Sequence, residues 1–170
     1  FVYDYGVTIG LVTAIRGDPA ATRRALAGLE LDELADGLAH LGYSCAVLEA
    51  WAATILGDPD GTRRAVAAIE RLDTTVRVQI FRPALRAFVG GALLHAGDPT
   101  AVDVLSLAER DARERGEVWW LGETLRLRAE AELRFGVAAQ SAPLLAEARE
   151  LARRQGARLL VDRLDADPVV

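Results

Sequence analysis

Lysine and methionine are missing from all 170 residues, there is one cysteine, there are two histidines, and aromatic side chains make up only 6% of the chain. Without lysine there is no phosphate-cradling P-loop lysine, no Schiff-base lysine and no lysine general base. A lone cysteine, Cys45, excludes an internal disulfide and fits a reducing compartment. It falls in an apolar stripe with no histidine beside it in sequence, the pattern of a buried structural thiol. His40 and His95 stand far apart with no acid–histidine spacing around either, so neither paired catalysis nor metal ligation is expected of them. No apolar run is long enough to span a bilayer and no signal-peptide pattern opens the chain. The expectation is a cytoplasmic protein without a membrane partner. The absence of methionine, at position 1 included, leads us to expect a piece of a longer polypeptide.

All twenty basic residues are arginine, set against 25 acidic ones for a net charge of −5. An acidic balance argues against a nucleic-acid module, which would carry a basic excess. With 51% apolar and 26% charged residues, the composition is globular rather than disordered. The length suits one domain or a short solenoid able to bury a core.

An internal repeat is the most informative feature present. Gly-Asp-Pro occurs at Gly17-Asp18-Pro19, Gly57-Asp58-Pro59 and Gly97-Asp98-Pro99, forty residues apart each time. A fourth beat falls at Gly136, without the Asp-Pro. The first two copies agree further, GDPAATRRALAGLE from Gly17 matching GDPDGTRRAVAAIE from Gly57 at Thr22/Thr62, Arg23/Arg63, Arg24/Arg64, Ala25/Ala65, Ala27/Ala67 and Glu30/Glu70. Glycine ends a helix in the left-handed conformation, aspartate caps the next one, and proline suits its first position. The three aspartates therefore read as N-caps rather than as metal ligands.

Between beats the apolar spacing is helical, as at Ala65, Val66, Ile69 and Leu72 or at Ala101, Leu105, Ala108 and Ala112. The pattern predicts helices near 2–16, 18–36 (or broken near Glu30), 40–56, 58–72, 78–96, 98–115, 118–135, 139–155 and 157–165, with no strands. Small residues near helix centres, Ala52, Ala92 and Ala131, would let neighbouring helices approach. Each hairpin must stack on another to bury its apolar face. Phe1, Val2, Tyr3 and Tyr5 read as the second helix of a preceding hairpin, closed by Gly17 as Gly57 closes the next, so the stack is expected to begin upstream.

The stretch EVWWLGETLRLRAEAELRFG from Glu117 to Gly136, followed by LLAEARELARRQGA from Leu144 to Ala157, resembles the helices of tetratricopeptide-like regions. Such regions form C-terminal arrays in large bacterial signal-transduction ATPases and LuxR-like transcriptional regulators. The likeness is carried by residues 117–157; over 1–116 only the Gly-Asp-Pro rhythm supports it, and a period of forty departs from the thirty-four-residue consensus. The resemblance implies an all-α, right-handed solenoid of about four helix hairpins forming a single domain over 1–170. It implies a non-catalytic protein-interaction or sensor segment whose partner is a protein or peptide, including an intramolecular one in an upstream NTPase domain. No Walker motif and no DNA-binding helix-turn-helix pattern is present, so neither activity can be placed on a residue here. A small-molecule-binding helical effector domain is the alternative, but such a domain should lack an internal repeat. An enzyme would need a convergent catalytic set, and none is visible; no cofactor or metal is expected.

In tetratricopeptide-like arrays the first helices line a groove, which directs attention to Arg23, Arg24, Arg63 and Arg64. Their matching positions would bring them onto one side of the array, able to hold carboxylates or phosphate by bidentate contacts. The third unit breaks the ladder with Asp103 and Val104, and a solvated helix face is the simpler reading. Trp119 and Trp120 are adjacent, so on a helix they diverge by about 100° and cannot both be core. One is expected between hairpins and the other as a groove anchor. Glu123 with Arg126, and Glu130 with Arg134, read as ordinary helix-surface ion pairs.

Overall fold

Glycines in the left-handed conformation end five of the described helices. A computed structural model describes residues 2–29, 39–63 and 81–166. Among them Gly17, Gly57 and Gly97 have φ of +75°, +70° and +79°. At each, the glycine N–H and the aspartate N–H after it turn back onto helix carbonyls. Gly17 N donates to Ala14 O at 2.9 Å and Asp18 N to Thr13 O at 3.0 Å; Gly57 and Asp58 do the same to Thr54 and Ala53, and Gly97 and Asp98 to Leu94 and Leu93. This paired closure satisfies carbonyls that a helix end otherwise leaves open.

The second half has a rhythm of its own. Gly116 and Gly156, also forty residues apart, have φ of +68° and +66° and close their helices with the same bond pair. Gly136 does not take the left-handed conformation; its φ is −116°. There the buried Glu132 side chain does the closing, Oε2 accepting from Val137 N at 2.9 Å. A Cβ on Gly136 would lie 2.2 Å from that oxygen, so glycine serves close approach here rather than a turn.

Among the described residues there are eight α-helices of stated extent, the start of a ninth, two short 3-10 helices and no strand. They divide into two compact units, Phe1–Phe81 and Arg82–Val170. In the first unit α1 (Val2–Ile15), α2 (Pro19–Leu26) and α3 (Ala39–Ile55) pack mutually. A further helix starts at 59 and is described to 63. Helix α2 stops at Leu26, with Gly28 at φ +86°, so the 18–36 helix is not continuous; 30–38 and 64–80, with Ala65, Val66, Ile69 and Leu72, lie outside the described residues.

The second unit runs α4 (Arg82–Ala96), α5 (Ala101–Arg115), the 3-10 turn Val118–Trp120, α6 (Leu121–Phe135), the 3-10 turn Ala138–Gln140, α7 (Ser141–Gln155) and α8 (Arg158–Ala166). Consecutive helices pack as hairpins, and α4 also touches α6, as α6 touches α8. The stripe Ala101, Leu105, Ala108 and Ala112 is buried as its spacing predicts, and so are Ala52, Ala92 and Ala131. Two apolar clusters result. One gathers Leu94, Leu105 and Ala131; the other gathers Leu125, Leu145, Leu151 and Leu164.

The helix seams set a glycine against a leucine. A Cβ placed on Gly10 of α1 would meet Leu26 Cδ2 at 2.9 Å and Leu48 Cδ1 of α3 at 3.7 Å. On α6, Gly122 faces Leu160 of α8 at 2.9 Å, the same thirty-eight residues on. On α4, Gly90 lies against Leu105 and Gly91 against Leu127. Each pair lets a large side chain enter where a small one stands, which brings helix axes close.

The junction aspartates are not all alike. Asp18 and Asp58 are N-caps, each Oδ1 accepting at 2.8 Å from the backbone three residues on, Ala21 N and Gly61 N. Asp98 is not. Its Oδ1 accepts from Thr100 N at 2.9 Å and from Thr100 Oγ1 at 2.7 Å, and α5 begins only at Ala101. Thr100 stands where the first copy has Ala20, and its hydroxyl draws the carboxylate into a tighter local turn. These bonds hold the Asp98 carboxyl below its ordinary range, the hydroxyl contribution being the larger.

Candidate functional site

The arginines of the expected ladder occupy different surroundings. Arg23, on α2, donates from Nε to Glu49 Oε1 of α3 at 2.9 Å and from Nη2 to Asp58 Oδ2 at 3.1 Å. It thereby ties one junction helix to the cap of the next: Asp58 holds Gly61 N with one oxygen and Arg23 with the other. Arg24, one residue on, is exposed. Arg63 is exposed and pairs with Asp60 one helical turn back. Arg64 lies outside the described residues.

The two tryptophans sit in a 3-10 turn ahead of α6 rather than on the α-helix itself. Trp120 stacks on Phe88 of α4, ring centroids 5.4 Å apart and planes 23° from parallel, and packs on the Leu94–Leu105 cluster. Trp119 leans on Trp120 at 5.5 Å and is 39% exposed, with Val118 beside it also exposed. Offset stacking of this kind orients an aromatic anchor.

The charged side chains of α6 are more deeply placed than surface pairing implies. Glu123 is buried and held by both Arg126 and Arg163 of α8, with Nη–O distances of 3.0 Å. Burial works against the Arg126 charge, but Glu123 and Glu130 outweigh it and raise its pKa. Arg134 does not pair with Glu130; it donates to Leu94 O at 3.0 Å and covers the Phe135 ring. On another side of α6, Arg128 joins Glu109 of α5 to Glu132 and Gln140. Arg113 carries the chain onward, binding Glu109 Oε1 and both oxygens of Glu147 on α7 at 2.9–3.0 Å. The Arg113 hydrogen bond holds the Glu147 carboxyl below its usual range and raises the arginine in turn. Buried carboxylates are tolerated only with such partners, so this network ties α5, α6 and α7 together. The missed signal was long-range, Glu123 and Arg163 being forty residues apart.

Cys45 is buried, and burial pushes its thiol up to about 12. At neutral pH it is a protonated core side chain with no nucleophilic thiolate. His40 and His95 are exposed. Among the described residues no three of His, Cys, Asp and Glu converge on a metal-sized site, and no helix is long and apolar enough to cross a membrane. No protein-family model, no curated protein and no solved structure matches the chain.

Proposed function

We propose that the chain is a tetratricopeptide-like, right-handed solenoid of about four helix hairpins. It serves as a non-catalytic interaction or sensor segment of a bacterial transcriptional regulator or signal-transduction ATPase in the cytoplasm. The observation that carries the reading is recurrence in register. Helices end on left-handed glycines forty residues apart, at Gly17, Gly57 and Gly97 and again at Gly116 and Gly156. Stacked hairpins of one design make a surface whose length grows with copy number, and extended surfaces suit recognition of a protein segment.

On this reading the partner is a protein or peptide, including a segment of an NTPase domain in the same polypeptide. The domain acts by binding one state of that NTPase better than another. No cofactor is required. Arg23 braces the scaffold and the exposed Arg63 is held by Asp60, so partner contact falls to two other exposed members of the expected set, Arg24 and Trp119.

The test uses the full parent polypeptide, in which NTP hydrolysis and partner affinity are measured for wild type, Arg24→Glu and Trp119→Ala. A several-fold change in at least one variant is expected, the arginine contribution weakening as salt rises. Unchanged behaviour in both rejects these contacts. A parent reading frame with neither an NTPase nor a DNA-binding module rejects the regulator assignment.

A further inference from the structure

Arg23 reaches past its own hairpin. From α2 it binds Glu49 of α3 and Oδ2 of Asp58, while Oδ1 of Asp58 accepts at 2.8 Å from Gly61 N in the helix that starts at 59. The first copy has Ala21 where the second has Gly61. Glycine is the poorer helix former, so it is the unexpected choice in a first helical turn. A Cβ on Gly61 would lie 2.5 Å from Asp58 Oδ2, the oxygen that Arg23 holds. The first copy shows that a Cβ at this place is compatible with capping, because Asp18 Oδ1 still accepts from Ala21 N at 2.8 Å. Among the described residues Asp18 pairs with no arginine. What alanine at 61 would displace is therefore the Arg23 contact and not the cap.

We infer that Arg23, Glu49, Asp58 and Gly61 form a latch by which the first forty-residue copy holds the opening turn of the second copy's leading helix. In a repeat array, stability divides into what each unit supplies and what each boundary supplies. The latch is a boundary contribution, and it makes the start of one helix depend on the folding of the copy before it. Arginine suits the task, because its planar fork presents Nε to one carboxylate and Nη2 to another. The latch sets α2, which carries the exposed Arg24, against the helix that carries Arg63. The third junction lacks the device. There Arg63 pairs with Asp60 and Asp98 takes Thr100, each within its own segment. The inference goes beyond the regulator reading and stands without it.

Asp58→Asn separates latch from cap, since asparagine caps a helix as well as aspartate does but brings no charge to Arg23. Backbone amide exchange is followed residue by residue by NMR in the 170-residue chain, for wild type, Arg23→Ala, Asp58→Asn and Asp18→Asn. Circular dichroism checks that each variant is folded. Exchange at Gly61 and Thr62, across the boundary from Arg23, should quicken about threefold in Arg23→Ala and in Asp58→Asn, the effect of losing a partly exposed ion pair. Asp18→Asn keeps a cap and has no latch to lose, so Gly61 and Thr62 should exchange as in wild type. Gly61→Ala should slow exchange at Thr62 when Arg23 is already alanine, and slow it less, or quicken it, when Arg23 is present. Arg23→Ala acting only within residues 19–26 overturns the latch. Equal effects of Asp18→Asn and Asp58→Asn, each on its own helix, overturn it in favour of capping alone. An identical response to Gly61→Ala with and without Arg23 removes Gly61 from it and overturns the proposal as stated. Should Arg23→Ala fail to fold, the two asparagine variants decide the question. No partner and no NTP hydrolysis enters these measurements, so failure of the regulator reading is distinguishable from failure of this one.

Discussion

Asp58 serves two structures at once, capping a helix with one carboxylate oxygen and taking Arg23 with the other. Replacing it with alanine should cost about 0.5–2 kcal/mol through the cap alone, read as a lower midpoint in urea. Asp98→Ala should cost less, because its carboxylate closes a local turn and caps no helix. Chelator should leave the wild-type melt unchanged, since two caps and one local turn account for the three aspartates without metal. Cys45 gives a pH test. Above about pH 8.5 the thiol of the unfolded chain ionises, whereas the buried thiol, pushed up to about 12, stays protonated. Unfolding then releases a proton, so stability is fully present below pH 8.5 and falls as pH rises toward the folded value. The slope approaches about 1.4 kcal/mol per pH unit. Urea denaturation between pH 8 and 10 should show this decline in the wild type and lose that contribution in Cys45→Ala. Equal slopes would mean that the thiol is not held in the core.

Adjacent glycines on α4 give an element-scale prediction with opposite signs. A Cβ on Gly90 would come within 2.6 Å of Leu105, at the centre of the α4–α5 hairpin, whereas a Cβ on Gly91 meets Leu127 at an ordinary 3.4 Å. Gly90→Ala should therefore destabilise by about 1–3 kcal/mol through overpacking. Gly91→Ala should be neutral or stabilising by up to about 1 kcal/mol, because alanine is the better helix former. Thermal melts of the two variants decide it. The helices themselves were legible in the sequence, because Gly-Asp-Pro compresses a helix stop and start into three residues and because Ala101, Leu105, Ala108 and Ala112 keep one face. The second rhythm at Gly116 and Gly156 is not legible as a motif, since neither glycine carries the Asp-Pro that marks the others. The Thr100 hydroxyl that diverts Asp98 is a local competition which the motif alone conceals. The candidate site was less legible. Nothing local to Arg23 reveals that Glu49 and Asp58 will hold it, and the burial of Glu123 depends on Arg163 arriving from a helix forty residues on. Spacing along one helix reports i, i+4 neighbours; it is silent on which flank another helix will cover.

At the scale of the whole molecule, the proposal makes repetition itself the functional device. On that proposal the working part is surface, and lysine amine and, at neutral pH, cysteine thiolate take no part in it. In an array whose units touch only their neighbours, that surface lengthens with each hairpin. The spacing of α4 and α8 within the second unit tests this most directly. Spin labels at Arg82→Cys on α4 and Asp162→Cys on α8, two periods apart, can be measured by dipolar EPR spectroscopy in a Cys45→Ala background. Two successive helix-to-helix steps of 8–10 Å, through α6, put the two backbones about 16–20 Å apart in a stacked array. A narrow distribution in that range is the expected result, and direct α4–α8 packing at about 8–10 Å, as in a bundle closed on itself, would contradict the account.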